Sequence, residues 1–200
     1  MTTLLLIRHG ETDWNVEGRY TGQSDIPLNN TGRKQAEDLA NRLQNNPPDV
    51  IISSDLCRAR ETADALATAC NITIHTDARL REIHQGVWEG MLFPDIKARF
   101  SKAFAAQREN PLTVSAPDGE TVGQVHDRVF SALKDILHTY HGHRTAIVAH
   151  GLVLALVKTQ VYHHPITKVW DLLPPNAESE EINADAIKDY ISLPELTSNQ

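Results

Sequence analysis

Arg8-His9-Gly10, Arg58 and His150-Gly151 each follow closely on a short apolar run, and Glu82 lies between them in the chain. Guanidinium groups match phosphate oxygens with paired, charge-assisted hydrogen bonds, so Arg8 and Arg58 together read as an oxyanion clamp. Arg58 falls in the first turn of an expected helix, where free backbone N–H groups and the helix dipole also favour an anion. A lone arginine at such a place is usually a solvated charge; two of them past strand ends are not. His9 and His150 would flank the anion. A neutral imidazole can attack phosphorus directly and split one hard hydrolysis into two easier transfers. Glu82 sits in Leu80-Arg81-Glu82-Ile83-His84-Gln85-Gly86-Val87-Trp88-Glu89-Gly90, a mixed segment that reads as an ordered, partly buried loop. A carboxyl group there, beside a bound phosphate, can give its proton to a leaving alkoxide. A salt bridge to Arg79 or Arg81 is the competing role. The chain has ten histidines; His141, His143, His163 and His164 read as turn and helix-end residues.

The elements that must position these groups follow from hydrophobic spacing. Leu4 to His9, Val50 to Ile52, Ile72 to His75 and Arg144 to Ala149 read as short strands. Thr31 reads as an N-cap ahead of the stripe Ala36, Leu39, Ala40 and Leu43, and Asn45-Asn46-Pro47-Pro48 stops that helix. Ala59, Ala63, Leu66, Ala67 and Cys70 mark a second helix, and residues 94–108 a weaker one. Thr121 opens a strongly periodic helix through Leu137, and Gly151-Leu152 opens an almost wholly apolar one, to be buried. Residues 10–30 and 79–93 show no clean period. Alternating strands and helices predict an α/β fold, a three-layer α/β/α sandwich whose mainly parallel central sheet carries helices on both faces. Ligands of such sheets sit outside the carboxyl ends of the strands. That rule brings Arg8-His9-Gly10, Ser53-Ser54-Asp55 with Arg58, and His150-Gly151 to one edge.

Composition sets the outer bounds. Two hundred residues with 40% hydrophobic and 22% charged side chains fit one globular domain over 1–200, with 194–200 expected as a flexible tail. Its apolar runs fall short of the roughly 18 residues of a membrane span. The Leu4–Ile7 run is too short for a signal peptide, and two cysteines make a poor disulfide scaffold, so a cytoplasmic chain is expected. The net charge is −7, of which residues 176–200 carry −5. Such a chain is a poor binder of nucleic acid, which needs a basic face, but a few arginines still suit a small anionic substrate. There is no helical His-x-x-x-His and no Cys-x-x-Cys, so neither metal nor cofactor is expected.

Leu6-Ile7-Arg8-His9-Gly10-Glu11-Thr12, followed by Asn15, resembles the signature of the histidine phosphatase (phosphoglycerate mutase-like) superfamily. The likeness continues through Gly22, Thr31-Gly32, Ser53-Ser54-Asp55-Leu56 with Arg58-Ala59 and Thr62-Ala63, Leu80-Arg81-Glu82, Trp88-Glu89-Gly90 and Val148-Ala149-His150-Gly151. It covers roughly residues 3 to 175. The resemblance implies that His9 is phosphorylated in the intermediate, that Arg8, Arg58 and His150 hold the phosphoryl group, that Asn15 supports it, and that Glu82 donates and accepts the proton. Thr21, Gly22 and Gly151 join the expected phosphate-binding set.

Mutases of this family resemble one another in Glu-Arg-His-Tyr-Gly after the acid and in an inserted basic segment. Here the corresponding residues are Glu82-Ile83-His84-Gln85-Gly86, and residues 91–110 leave no room for the insertion. The sequence looks more like the broad-specificity and α-ribazole phosphate phosphatases. The expectation is therefore a metal-independent phosphomonoesterase of histidine acid phosphatase type, acting on small-molecule phosphomonoesters. A phosphoglycerate mutase, a non-catalytic phosphate-binding protein on the same fold, and a metal-dependent hydrolase are the alternatives. The acidic Ala177-Glu178-Ser179-Glu180-Glu181 departs from the family pattern; Ile182 and the run Ile187 to Leu193 are expected as edge strands. The sequence does not specify an oligomeric state.

Overall fold

The computed structural model describes residues 2–187. Apolar runs buried on both faces form the centre of the sheet: β1 (Thr3–Arg8), β2 (Val50–Ser53) and, later in the chain, β4 (Arg144–Ala149), with the more exposed β3 (Ile74–Thr76) outside β2. β5 (Ser179–Asn183) closes the other edge, in the order β3-β2-β4-β1-β5. All neighbours pair in parallel except β5, which runs antiparallel to β1. The helices are α1 (Asp13–Glu17), α2 (Asn30–Leu43), α3 (Cys57–Cys70), α4 (Phe93–Arg99), α5 (Ser101–Glu109), α6 (Val122–Thr139) and α7 (Gly151–Val161).

Because side chains alternate along a strand, each central strand supplies two cores. Leu5, Ile7, Ile51, Ala146 and Val148 pack with Leu39 and Ala40 of α2 and Ala59, Ala63 and Leu66 of α3. Leu4, Leu6, Ile52, Ile147 and Ala149 pack with Val125, Val129 and Leu133 of α6 and with α7. The three-layer α/β/α sandwich is thus the observed architecture. A third, smaller cluster of Trp88, Ile96, Phe104 and Ala116 forms apart from both sheet cores.

Several boundaries differ from expectation. α1 lies inside residues 10–30, too short for a period but held by a capping box between Thr12 and Asn15. α2 starts at Asn30, capped by Asn29 instead of Thr31, because the Asn29 carboxamide oxygen accepts from the Gly32 N–H at 2.8 Å. β3 starts at Ile74 instead of Ile72, since left-handed Asn71 ends α3 and the Ile72 N–H returns to the Ala67 carbonyl. The helix expected over 94–108 is broken at Phe100, whose ring packs against Trp88, leaving α4 and α5. The acidic stretch forms β5, with Ile182 buried as its core residue. Glu181 pairs with Arg144 at 2.8 Å, and Glu180 with Lys158 at 2.7 Å and with the Tyr162 hydroxyl. The expected strand beyond Ile187 and the expected tail lie outside the described residues.

The loop after β1 passes the start of α2 with no room for side chains. A Cβ on Gly10 would stand 2.5 Å from the Gly32 carbonyl oxygen, and one on Gly32 would stand 2.1 Å from the Glu11 carbonyl oxygen. Backbone meets backbone there, so no flexible side chain can yield. Gly32→Ala is expected to cost about 1–3 kcal/mol as an overpacked site, read as a lower urea midpoint at unchanged slope. A wild-type midpoint would show that the loop moves freely.

Candidate active site

The strand register assembles the site. Arg8 of β1 pairs with Ala149 of β4, so the next residues, His9 and His150, emerge side by side. Their ring centroids lie 5.2 Å apart. Ser53 of β2 pairs with Val148, which sets Ser54 beside the same strand end. His150, 0% exposed, has its Nε2 2.8 Å from the Ser54 hydroxyl, while its Nδ1 is buried with no protein partner.

His9 is 4% exposed, and its Nδ1 lies 2.6 Å from the Gly10 carbonyl oxygen. A carbonyl only accepts, so Nδ1 carries the hydrogen and Nε2 keeps its lone pair. Burial, then the charges of Arg58 and Arg8, hold the His9 pKa well below 6.5 despite the Gly10 carbonyl. Burial and the Arg58 charge do the same to His150. Both rings are neutral at pH 7.

Arg58, 1% exposed, projects from the first turn of α3 and donates to the carbonyls of Gly22 at 2.8 Å and Ser24 at 2.9 Å. Arg8 donates to the Pro174 carbonyl. Among the described residues neither guanidinium has a carboxylate at salt-bridge distance, and the Nε of each is buried without a partner. Burial draws both pKa values below the ordinary arginine value, opposed chiefly by the nearby Glu82. A buried and a half-buried cation whose hydrogen-bond partners among the described residues are carbonyls leave positive charge that an anion would neutralise.

Glu82 closes the constellation. Its Oε1 accepts from the Ile83 N–H at 3.0 Å and its Oε2 from the Leu152 N–H at 3.2 Å. The carboxylate therefore caps α7, whose N-cap residue His150 gives no side-chain cap of its own. Neither competing salt bridge exists: Arg79 pairs with Asp77 and Asp135, and Arg81 with Asp55.

Arg8, His9, Asn15, Thr21, Gly22, Arg58, Glu82 and Gly151 line one cleft of about 230 Å³, with His150 buried behind it. A Cβ on Gly151 would sit 3.6 Å from the Arg8 guanidinium carbon, so the glycine leaves that group uncovered. Among the described residues no three His, Cys, Asp or Glu side chains converge as a metal-ligating group.

Of the supporting groups, Thr62 and Glu89 fall within the family-like motifs, whereas Arg128 and Glu120 carry no sequence signal. Asn176 donates to the carbonyls of His9 at 3.0 Å and Gly10 at 3.3 Å. Arg128 of α6 pairs with Glu120 at 2.9 Å and donates to the carbonyls of Arg79, Arg81 and Glu82, which fixes the backbone under the acid. Glu89 accepts from the Gln23 and Gln85 N–H groups and the Ser24 hydroxyl, tying the two walls of the cleft together. Thr62, one helical turn after Arg58, accepts from the Gly10 N–H at 3.0 Å.

Fold and site define an α/β protein whose cleft at the strand carboxyl ends brings two arginines to two neutral histidines. The chain belongs to the histidine phosphatase superfamily (branch 1), whose family profile matches residues 4–193. It is 31% identical over 191 residues, 96% of this chain and 90% of the other, to phosphoserine phosphatase 1 of Hydrogenobacter thermophilus. It is 35% identical over 165 residues, 82% of this chain and 77% of the other, to a protein of Serratia proteamaculans named probable phosphoglycerate mutase. The structure of an α-ribazole phosphatase from Shigella flexneri superimposes with a TM-score of 0.80 at 27% identity, covering 90% of each chain.

Inorganic phosphate is expected to bind this clamp and raise stability by about 2.7 kcal/mol at one hundred times its Kd. Arg58→Met should lose most of that gain, measured as the difference in thermal unfolding with and without phosphate. An undiminished gain in the variant would remove Arg58 from the clamp.

Proposed function

We propose that the protein is a metal-independent phosphomonoesterase that hydrolyses small phosphorylated metabolites through a phosphohistidine at His9. The observation that carries this reading is the fixed tautomer of His9, with its free Nε2 in a cleft that also holds two guanidinium groups lacking counter-ions.

In the first step the Nε2 lone pair forms a bond to phosphorus as the ester P–O bond breaks. Glu82 passes its proton to the departing oxygen. In the second step a water attacks phosphorus, Glu82 takes the water's proton, and the P–N bond breaks to release phosphate. Arg8 and Arg58 meet the charge on the equatorial oxygens, with the role a divalent ion plays elsewhere. Asn15 is available to assist, since its carboxamide oxygen is engaged by the Thr12 N–H and by Asn176, which directs its NH₂ elsewhere. Hydrolysis fits the short 91–110 segment better than transfer to a second hydroxyl.

His9→Ala is expected to abolish turnover. Rapid quenching of the wild type with labelled substrate, in buffer containing a chelator, should trap acid-labile, base-stable phosphate on the protein. Because only neutral imidazole attacks and the His9 pKa is held down, protonation silences the enzyme only below the ordinary histidine range. The acid limb of kcat/KM is therefore expected below pH 6.5. Turnover within tenfold of wild type in the alanine variant would end the phosphohistidine mechanism.

Glu82→Gln separates acid catalysis from binding. With an alkyl phosphate, a poor leaving group, the first step should slow by roughly 10²–10⁴. With p-nitrophenyl phosphate, which needs little protonation, burst kinetics should show a much smaller loss in that step. Equal losses for both would leave Glu82 only a binding role.

A further inference from the structure

Residues 174–177, just ahead of β5, supply none of the groups that react in the proposed mechanism, yet they bond to the segment that does. The Pro174 carbonyl accepts from the Arg8 guanidinium. The Ala177 N–H lies 3.1 Å from both the Arg8 and the His9 carbonyl oxygens. The Arg8 N–H in turn donates to the Glu178 carbonyl at 3.2 Å, and Ile7 pairs with Ser179 at the start of β5. Ala177 has a φ of +54°, a left-handed conformation that a residue with a Cβ adopts only where its surroundings enforce it.

This turn sets the Asn176 carboxamide among three acceptors. Its Nδ2 is 3.0 Å from the His9 carbonyl oxygen, and 3.3 Å from both the Gly10 carbonyl oxygen and the Asn15 Oδ1. Backbone groups fix the direction of every link. The Thr12 N–H, 3.1 Å from the same Asn15 atom, can only donate, so that atom is the oxygen. It and the two carbonyls can only accept, so the Asn176 atom among them is the nitrogen. The Gly10 carbonyl also receives the hydrogen of His9 Nδ1, at 2.6 Å. One carboxamide therefore holds the carbonyl that sets the His9 tautomer and the oxygen end of Asn15, and His9 and Asn15 line the same cleft. An aspartate in its place would bring a negative oxygen against three acceptors.

We propose that Asn176 is a positioning residue for the nucleophile and for Asn15. It acts through these neighbours and not through substrate: it keeps the Gly10 carbonyl on His9 Nδ1, so that Nε2 stays free, and it leaves the Asn15 NH₂ available in the cleft. The catalytic consequence rests on the phosphohistidine reading; the tautomer does not.

The test uses Asn176→Ala, Asn176→Asp and Asn176→Gln. The ring nitrogens of His9 are followed by ¹⁵N NMR near neutral pH, with the spectrum of His9→Ala identifying their signals. The wild type is expected to show a protonated Nδ1 and a bare Nε2. Asn176→Ala and Asn176→Asp should populate the opposite tautomer. They should also slow the burst with p-nitrophenyl phosphate by roughly tenfold, the worth of one or two neutral hydrogen bonds, with a smaller change in KM. Asn176→Gln, which keeps the NH₂, should recover part of both effects. In the Asn15→Ala background the loss caused by Asn176→Ala should shrink by about threefold, because part of it runs through Asn15. Thermal midpoints identify any variant that fails to fold; should the alanine variant fail, the isosteric Asn176→Asp carries the test. A folded variant with the wild-type tautomer and burst rate overturns the proposal. Equal losses in all three variants with the tautomer unchanged overturn it too, since they mark a role in folding alone. A wild type that neither turns over p-nitrophenyl phosphate nor traps phosphate overturns the phosphatase reading, while the tautomer of the Asn176 variants still decides the positioning role.

Discussion

Arginine side chains are among the costliest groups to take out of water, yet Arg58 is almost wholly inaccessible and Arg8 half-buried, and among the described residues neither meets a carboxylate at ion-pair distance. Both are held by backbone carbonyls: Gly22 and Ser24 for Arg58, Pro174 for Arg8. Carbonyl dipoles satisfy donors without cancelling charge. A carboxylate in the same place would stabilise the empty protein and compete with the ligand. The fold thus accepts a local instability at the strand ends that an incoming oxyanion relieves, and the packing of the sheet must offset it.

The two histidines depend on the same charges. Arg8 and Arg58 help to keep His9 and His150 neutral, so in the proposed reaction the groups that would hold the phosphate also keep its nucleophile unprotonated. The Gly10 carbonyl then decides which ring nitrogen is free. That carbonyl is itself fixed, because Asn176 donates to it and the Gly10 and Glu11 N–H groups bond Thr62 and Gln35. The close glycine contact with α2 completes the anchoring. A loop with no regular structure is in this way made as rigid as a strand.

What the sequence reveals is the part governed by short-range rules. Strand runs, their carboxyl ends, and the helix that must follow each one are local patterns, so His9, Arg58 and His150 could be placed together before any coordinates. α1 escaped because five residues cannot show a period, and the break at Phe100 escaped because it answers to Trp88, twelve residues earlier and in another segment. Arg128 and Glu120 could not be read at all. Their role is to hold the carbonyls of residues 79–82 from a neighbouring helix, and nothing in the spacing of an arginine on α6 distinguishes that from a surface charge. Ser54 was visible as a strand-end residue, but its bond to His150 follows from the register of β2 on β4.

The net charge of −7 raises the question of how an acidic chain draws in an anion. Part of the answer lies in where the acids are spent. Glu180 and Glu181 sit on the edge strand and are paired with Lys158 and Arg144, while Asp55 and Asp77 are paired with Arg81 and Arg79. The arginines lining the cleft include Arg8, Arg58 and Arg108, for which no such pairing exists among the described residues, so the local field there has the opposite sign to the whole. Among the described residues Glu82 is the one acid that lines the same cleft, and it sits against the N-terminus of α7. In the proposed reaction a phosphate dianion held by the clamp faces that carboxylate across a short gap. There Glu82 gives its proton to the leaving oxygen and takes one from the attacking water, so a single carboxyl group serves both steps.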